Sequence, residues 1–430
     1  MSHLISRRGA LGLGLGVAAI GLTACGRGGG GTDPAPAGDG TAGAAAGGKI
    51  SFLALGPSQG LTDHLNNEVI PAFKEATGID VELQTSDWGS AFQKVTTGAA
   101  SNSLADVLVI GGIWTAPLAD KGVLLDITDK VNAWEDKGEF YEKMLADGAY
   151  DGKNYAVPIA ADVRSGVYRK DILEAAGVSD LPTTWDEFLE AARAVKGQDG
   201  IVAPIDWGID KSIGLQQAFA QLFLQAGGEY WVDGKANFNS DAGKKALGFL
   251  VQTYEEGLAD PNMVYAGSGP RPMVAGQAAM MYSGGQLVGN AAQTDEAVLD
   301  KLAVGPGLKA DASSAPTSAA WINKVAIAKN SKQPDQAWEF VKFLASKDQL
   351  SDVSRLYDAL PPRADLADAD WVEGLNKQIL ETADDAVSQP PNPKMMQIGP
   401  EITSLLEPAI RGTVGVDETL EAIDAKVNSL

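Results

Sequence analysis

The chain has 430 residues, a formal charge of −22, 45% hydrophobic residues, two histidines and a single cysteine. Such a length holds two or three globular cores of ordinary composition. No basic stripe offsets the acidic excess, which excludes nucleic acid as a partner, and the scarcity of thiols and imidazoles excludes disulfides and zinc sites.

At the N-terminus, Arg7 and Arg8 precede a fourteen-residue apolar, glycine-rich run from Gly9 to Leu22. A charged head, an apolar middle and small residues at the cut make a bacterial secretion signal, residues 1–24. The run is shorter than the ~20 residues a bilayer span needs, so a retained membrane helix is not expected. Leu22-Thr23-Ala24-Cys25 is similar to a lipobox, and Cys25 is expected to carry diacylglycerol on the outer face of the cell membrane. The plainer reading is an ordinary signal peptide beside a coincidental cysteine. Ser6-Arg7-Arg8 resembles a twin-arginine signal loosely, because Ala10 stands where a bulky residue is usual; general secretion fits as well. Loss of this segment removes Arg7 and Arg8 but no acid, and moves the charge from −22 to −24.

Residues 25–48 are nearly all Gly, Ala, Pro, Thr and Asp and are expected to form a flexible tether. Gly26 to Gly31 satisfies a dinucleotide pattern and Gly43 to Lys49 nearly satisfies a P-loop, but neither follows a strand. Both are compositional. Order begins at Lys49. Ile50 to Leu55 reads as a buried parallel strand, and Leu61, Leu65, Val69 and Phe73 recur at helical spacing up to Gly78, with a bend expected at Pro71. Ile79, Val81 and Leu83 alternate as a second strand, Ser90 to Ala100 reads as a helix, and Asp106 to Ile110 as a third strand. Strand and helix in alternation predict an α/β sheet with parallel crossovers.

Further on, Val163 to Tyr168 reads as a strand, and Thr184 with Glu187 forms a capping box that opens a helix burying Trp185 and Phe188. Leu215, Phe219, Leu222 and Ala226 mark another helix; Ala246, Leu247, Leu250 and Tyr254 mark a third. Val325 to Ala328 is a strand, Trp338, Val341 and Ala345 face one side of the helix after it, and Leu420, Ile423 and Val427 lie on the last helix.

Seven segments carry a family resemblance through their order. They are Phe73 to Val81 (Phe-Lys-Glu-Ala-Thr-Gly-Ile-Asp-Val), Ala105-Asp106-Val107, Asn154 to Pro158, Tyr168 to Leu173, Leu181 to Phe188, Gly276 to Met280 and Ala337 to Leu344. Behind a lipobox, this series resembles the family 1 extracellular solute-binding proteins, the group containing maltose-binding protein. The resemblance covers Lys49 to Leu430. It implies a periplasmic-binding-protein type II-like fold, two α/β lobes joined by hinge crossovers with a ligand cleft between them. Lobe one is then 49–160 with 305–348, and lobe two 161–304 with 349–430. The implied partners are a small-molecule ligand, foremost a sugar, and the permease subunits of an ABC importer, with the chain a monomer that needs no cofactor.

A sugar cleft needs flat aromatic faces for the C–H side of the ring and polar groups for its hydroxyls. Loops at the carboxyl ends of parallel strands are where such residues stand. Asp87 and Trp88 follow the second strand, Trp114 follows Gly111-Gly112, Trp207 lies between Asp206 and Asp210, and Trp321 precedes the Val325 strand. A lone tryptophan is as readily a core residue. Asp162 and Arg164 follow the implied first crossover, with a hinge salt bridge as the plainer reading. Ser283-Gly284-Gly285-Gln286 stands at the family's Gly-Pro-Trp-like position without its Pro and Trp, leaving Gln286 to hydrogen-bond. Arg363 after Pro361-Pro362 resembles the family's Pro-Arg turn, and Arg271 between Pro270 and Pro272 is a further candidate.

Two rival functions remain. The same fold can bind a non-sugar solute, such as a polyamine, a phosphonate or glycerol phosphate. A secreted glycosidase needs only two carboxylates, which an acidic surface supplies in any case. His3 leaves with the signal and His64 sits in a polar helix start, so no histidine triad is available and the chain is read as a non-enzyme.

Overall fold

The structure, a computed structural model, describes residues 48–208, 214–265 and 267–430. The expected signal and Cys25 lie outside the described residues. Thirteen strands are present among the described residues. β1 (Lys49–Leu55), β2 (Asp80–Ser86) and β3 (Val107–Ile110) come first, then β4 (Ala149–Tyr150), β5 (Lys153–Asn154) and β6 (Ala156–Arg169). β7 (Ile205–Asp206), β8 (Trp231–Val232), β9 (Lys235–Ala236) and β10 (Met280–Ser283) follow, with β11 (Leu302–Val304), β12 (Ser318–Ile327) and β13 (Ala386–Val387) last.

The main sheet has the order β2-β1-β3-β12-β6-β10-β7, with β11 beside β6 and β13 beside β12. β1 pairs in parallel with both β2 and β3, as the strand–helix alternation predicted. β6 is the long member. At about 3.3 Å per residue its 14 residues span roughly 46 Å. Its first part pairs with β12 (Ala156–Arg164 against Ala326–Ala319), and its last part pairs with β10 and β11. One strand thereby enters two cores.

The first core gathers β1, β3, the start of β6 and the end of β12, with Phe340 edge-on to Phe52 and Phe73 at 5.2 and 5.1 Å. The second gathers Tyr168, Phe188, Phe219, Phe223 and Phe238 around the other end of β6. Leu308 and Ala310 pack in the second core, while Leu350, Val353 and Leu366 pack in the first. Each core is apolar enough to hold its own layer of helices on the sheet.

The helices follow their apolar spacing. Gln59–His64 and Ile70–Thr77 are joined by a π-helical stretch, Leu65–Val69, directly before Pro71. The missing proline N–H is absorbed there and at the first turn of the second helix. Gly78 closes it at φ 72°. The capping box at Thr184 and Glu187 is formed in both directions, and Trp185 and Trp338 are buried. Two strands are longer than their apolar runs: β6 begins at Ala156, before Val163, and β12 begins at Ser318, before Val325. Polar residues interrupt both runs, but the two strands satisfy each other's backbone and the polar side chains find partners. The register slips between Asn323 and Lys324, opposite Pro158, which has no N–H to give the ladder.

Candidate functional site

A cavity of about 430 Å³ opens against β10, the end of β7 and the helix Gly214–Gln225. That volume lies within the ordinary range for small-ligand sites. Its apolar wall is an aromatic pair: the rings of Trp207 and Tyr282 lie 6.2 Å apart and 5° from parallel. Both are fixed from behind. Trp207 donates its indole N–H to Thr253 Oγ1 at 3.0 Å, and Tyr282 Oη accepts from Gln225 Nε2 at 2.9 Å. Burial pushes the Tyr282 hydroxyl well above its ordinary value, so it stays a neutral group.

The polar wall comes from the helix. Gln217, Gln221 and Gln225 stand four residues apart on one face. Gln217 Oε1 accepts from Arg164 Nη1 at 2.8 Å, Gln221 Nε2 is buried without a partner, and Gln225 is committed to Tyr282, Thr317 and Trp185. Beside the cavity, Asp206 Oδ1 accepts from Gly208 N–H at 2.8 Å and its Oδ2 is unpartnered; burial raises this carboxyl from its ordinary value. Arg271 and Tyr265 complete the far side, the guanidinium carbon 4.3 Å from the ring centroid.

A run of contacts leads from this cavity to the first core. Arg164 donates Nε and Nη2 to Asp162 Oδ2 at 2.9 and 2.8 Å and lies 4.4 Å over the half-buried ring of Trp321. Trp321 packs on Gly112, where a Cβ would come within 3.2 Å of Trp321 Cα. Next to it, the Trp114 ring meets Trp88 edge-on at 5.7 Å. Trp88 is 39% exposed and lies over Gly56 and Gly111, at the carboxyl ends of β1 and β3. Gly56 is required here, since its φ is 57° and any Cβ would collide with Trp88 Nε1.

Of the residues singled out from the sequence, Arg164, Trp207 and Gln286 line the cavity, and Asp162 and Trp321 support Arg164. Trp88 presents an open aromatic face. Three candidates are corrected. Asp87 is the N-cap of Trp88–Ala100: Oδ1 accepts from Ser90 N–H at 2.9 Å and Oδ2 from Ser90 Oγ at 2.6 Å, bonds that lower its pKa. Trp114 is buried in the first core, in T-shaped contact with Trp88 and Phe92, and does not line the cavity. Arg363 is buried away from the cavity and makes four hydrogen bonds, to Asp365, Asp136 and the Ala345 carbonyl.

The reading of the sequence missed Gln217, Gln221 and Tyr282 as cavity residues and ranked Arg271 below the others. The glutamine spacing was the available signal, because a polar stripe at four-residue intervals within an otherwise apolar helix needs a polar environment. Tyr282 had no such mark, lying in an apolar strand.

Comparison with known proteins finds relatives in sequence and in structure. A Brucella abortus binding protein is 27% identical over 309 residues, which is 71% of this chain and 74% of that protein. The lactose-binding protein of Rhizobium radiobacter is 26% identical over 271 residues, 60% of this chain and 61% of its own length. A solute-binding protein of an ABC transporter from Thermotoga lettingae, solved with alpha-D-tagatose, superposes with a TM-score of 0.77 at 24% identity, covering 89% of this chain and 99% of that one. These relatives are binding proteins, and among the described residues no helix is long and apolar enough to cross a membrane. With residues 60–350 matched by the family model, the chain belongs to the bacterial extracellular solute-binding proteins.

Proposed function

We propose that this protein captures a sugar or oligosaccharide in the cavity and passes it to the permease of an ABC importer. The observation that carries this reading is the cavity's composition: a stacked Trp207–Tyr282 wall faces amide and guanidinium groups from Gln217, Gln221, Arg164 and Arg271. Aromatic faces suit the C–H side of a sugar ring, and fixed polar groups suit its hydroxyls. The tagatose and lactose named for two relatives agree with that chemistry.

The contact run from the cavity to Trp88 supports closure of two lobes about β6 and β12. A ligand touching Trp88 and Arg164 together binds the closed form better, and that difference in affinity sets the population shift. In this reading the lobes are built on the two cores, so the implied boundaries at 305 and 349 shift to leave Leu308 and Ala310 with the second lobe and Leu350, Val353 and Leu366 with the first. The monomer needs no cofactor, and Cys25 anchors it outside the cell membrane on its tether. Sugar is held without turnover.

The test uses the chain without residues 1–24. A sugar or polyol is expected to raise the melting temperature and change tryptophan fluorescence, with Trp88→Ala and Trp321→Ala weakening it. Release of product from a glycoside overturns the binding reading, and stabilisation by putrescine alone moves the ligand to the polyamines. Anchoring is tested by Cys25→Ala in cells: the protein is expected to move from the membrane fraction to the medium, and unchanged membrane retention removes the anchor.

A further inference from the structure

Two arginines reach the cavity, and their charges are met differently. Arg164 has Asp162 at 2.8 Å and Gln217 beside it. The Arg271 side chain has no hydrogen bond and no ion pair with any described residue; its guanidinium carbon lies 4.3 Å from the centroid of the Tyr265 ring. Asp206 and Asp162 act on it only at longer range.

This guanidinium is also held in place. Pro270 and Pro272 restrict the backbone on either side of it. Asn290, on the helix Gly285–Thr294, accepts from the Arg271 N–H at 2.9 Å and donates to the Gly269 carbonyl at 3.0 Å and to Tyr265 Oη at 3.4 Å. One side chain thus braces both the arginine and the ring beneath it. Gln221 Nε2 adds a second donor without an acceptor in the same cavity wall. A desolvated planar cation with free N–H groups is matched best by an anion, which both accepts the hydrogen bonds and brings a negative charge into contact. Neutral hydroxyls do only the first.

We infer that the saccharide taken by this cavity carries an anionic group, and that Arg271, stacked on Tyr265 and braced by Asn290, selects for it. The inference rests on the sugar-binding reading above and narrows it to acidic sugars. Burial draws the Arg271 pKa down, as expected of a desolvated guanidinium with no carboxylate in contact.

Calorimetric titration of the chain without residues 1–24 tests it against three sets of ligands: galacturonate, glucuronate and a galacturonate disaccharide; glucose phosphate and glycerol phosphate; and neutral glucose, galactose and lactose. An acidic ligand is expected to bind more tightly than its neutral counterpart, with affinity falling as salt rises. Arg271→Gln is expected to weaken the acid on the order of 100-fold and Arg271→Lys less, both at an unchanged melting temperature. Whichever acidic set binds assigns the group as carboxylate or phosphate. A neutral sugar that binds as tightly as its acid, in the unmodified chain, overturns the anionic assignment and leaves sugar capture standing. Glycerol phosphate binding without any saccharide binding overturns both, as does silence across all three sets.

Discussion

Arg164 lies 4.4 Å over the Trp321 indole while its guanidinium clamps Asp162, the residue that pairs with Trp321 across β6 and β12. Cation, ring and carboxylate therefore form one unit where the two long strands meet, and the arginine's Nη1 donates to Gln217, which lines the cavity. Trp321 in turn packs on the Gly112 turn, so these contacts join the cavity to the first core.

The Asp162 side chain is 7% exposed, its Oδ1 has no partner, and its Oδ2 is paired with Arg164. Arg164→Ala is expected to destabilise the fold by about 3 kcal/mol, because it strands a buried carboxylate. Asp162→Asn with Arg164→Gln removes both charges and is expected to lose distinctly less. Urea denaturation checks this, and equal losses in the single and double variants refute the dependence.

Gly56 and Trp88 are a steric pair. Gly56→Ala is expected to lose about 1–2 kcal/mol through its left-handed backbone and the collision with the indole. Trp88→Ala, at an exposed ring, is expected to change stability by no more than about 0.5 kcal/mol. The double variant recovers the steric part of the loss but not the backbone part. Thermal melts of the three variants decide it: no recovery means that Trp88 does not press on Gly56.

Trp207→Ala is a poor probe of binding. Trp207 is buried, stacked on Tyr282 and bonded to Thr253, so the truncation is expected to lose about 3–5 kcal/mol on its own. Trp207→Phe keeps the ring wall at a smaller loss and is the variant to titrate with ligand. A full-strength melting temperature for Trp207→Ala contradicts the packing described.

Asp358 predicts a pH effect. It has φ 52° and packs its carboxyl against Gly289, and burial raises its pKa from 3.8 to about 6. Below 3.8 both folded and unfolded chains hold the proton, and the group is neutral to stability. As pH rises towards about 6 the unfolded chain loses the proton first, so stability falls. Above that the penalty is complete, about 2 kcal/mol after allowance for partial exposure. Asn tolerates the left-handed backbone, so Asp358→Asn is expected to gain this amount near neutral pH and nothing at low pH. A gain that does not vary with pH refutes it.

The local elements were legible because their signals are local. Helical apolar spacing placed Gln59–Thr77, Asp241–Glu255 and Val416–Ser429, and the capping box at Thr184 was read directly from two residues. The length of β6 was not legible. Asp162, Arg164 and Pro158 interrupt its apolar pattern, and only pairing with β12 shows that the strand continues through them. The site divides in the same way. Trp207 and Arg164 were found by residue type and position, whereas Asp87, Trp114 and Arg363 carried the right chemistry and are spent on a helix cap, a core edge and a salt-bridge cluster.

By itself the sequence determined the α/β alternation and the family, since each depends on composition or on neighbours within a few turns. Tertiary structure alone decided which polar groups remain free. Arg164 and Arg271 look alike as residues in a chain. One met its carboxylate two positions away, and the other was carried by its two prolines to a ring, a brace and an open cavity, with no ion pair to any described residue. Whether a charge is satisfied depends on what long-range packing brings within about 4 Å of it, and the order of residues does not contain that distance.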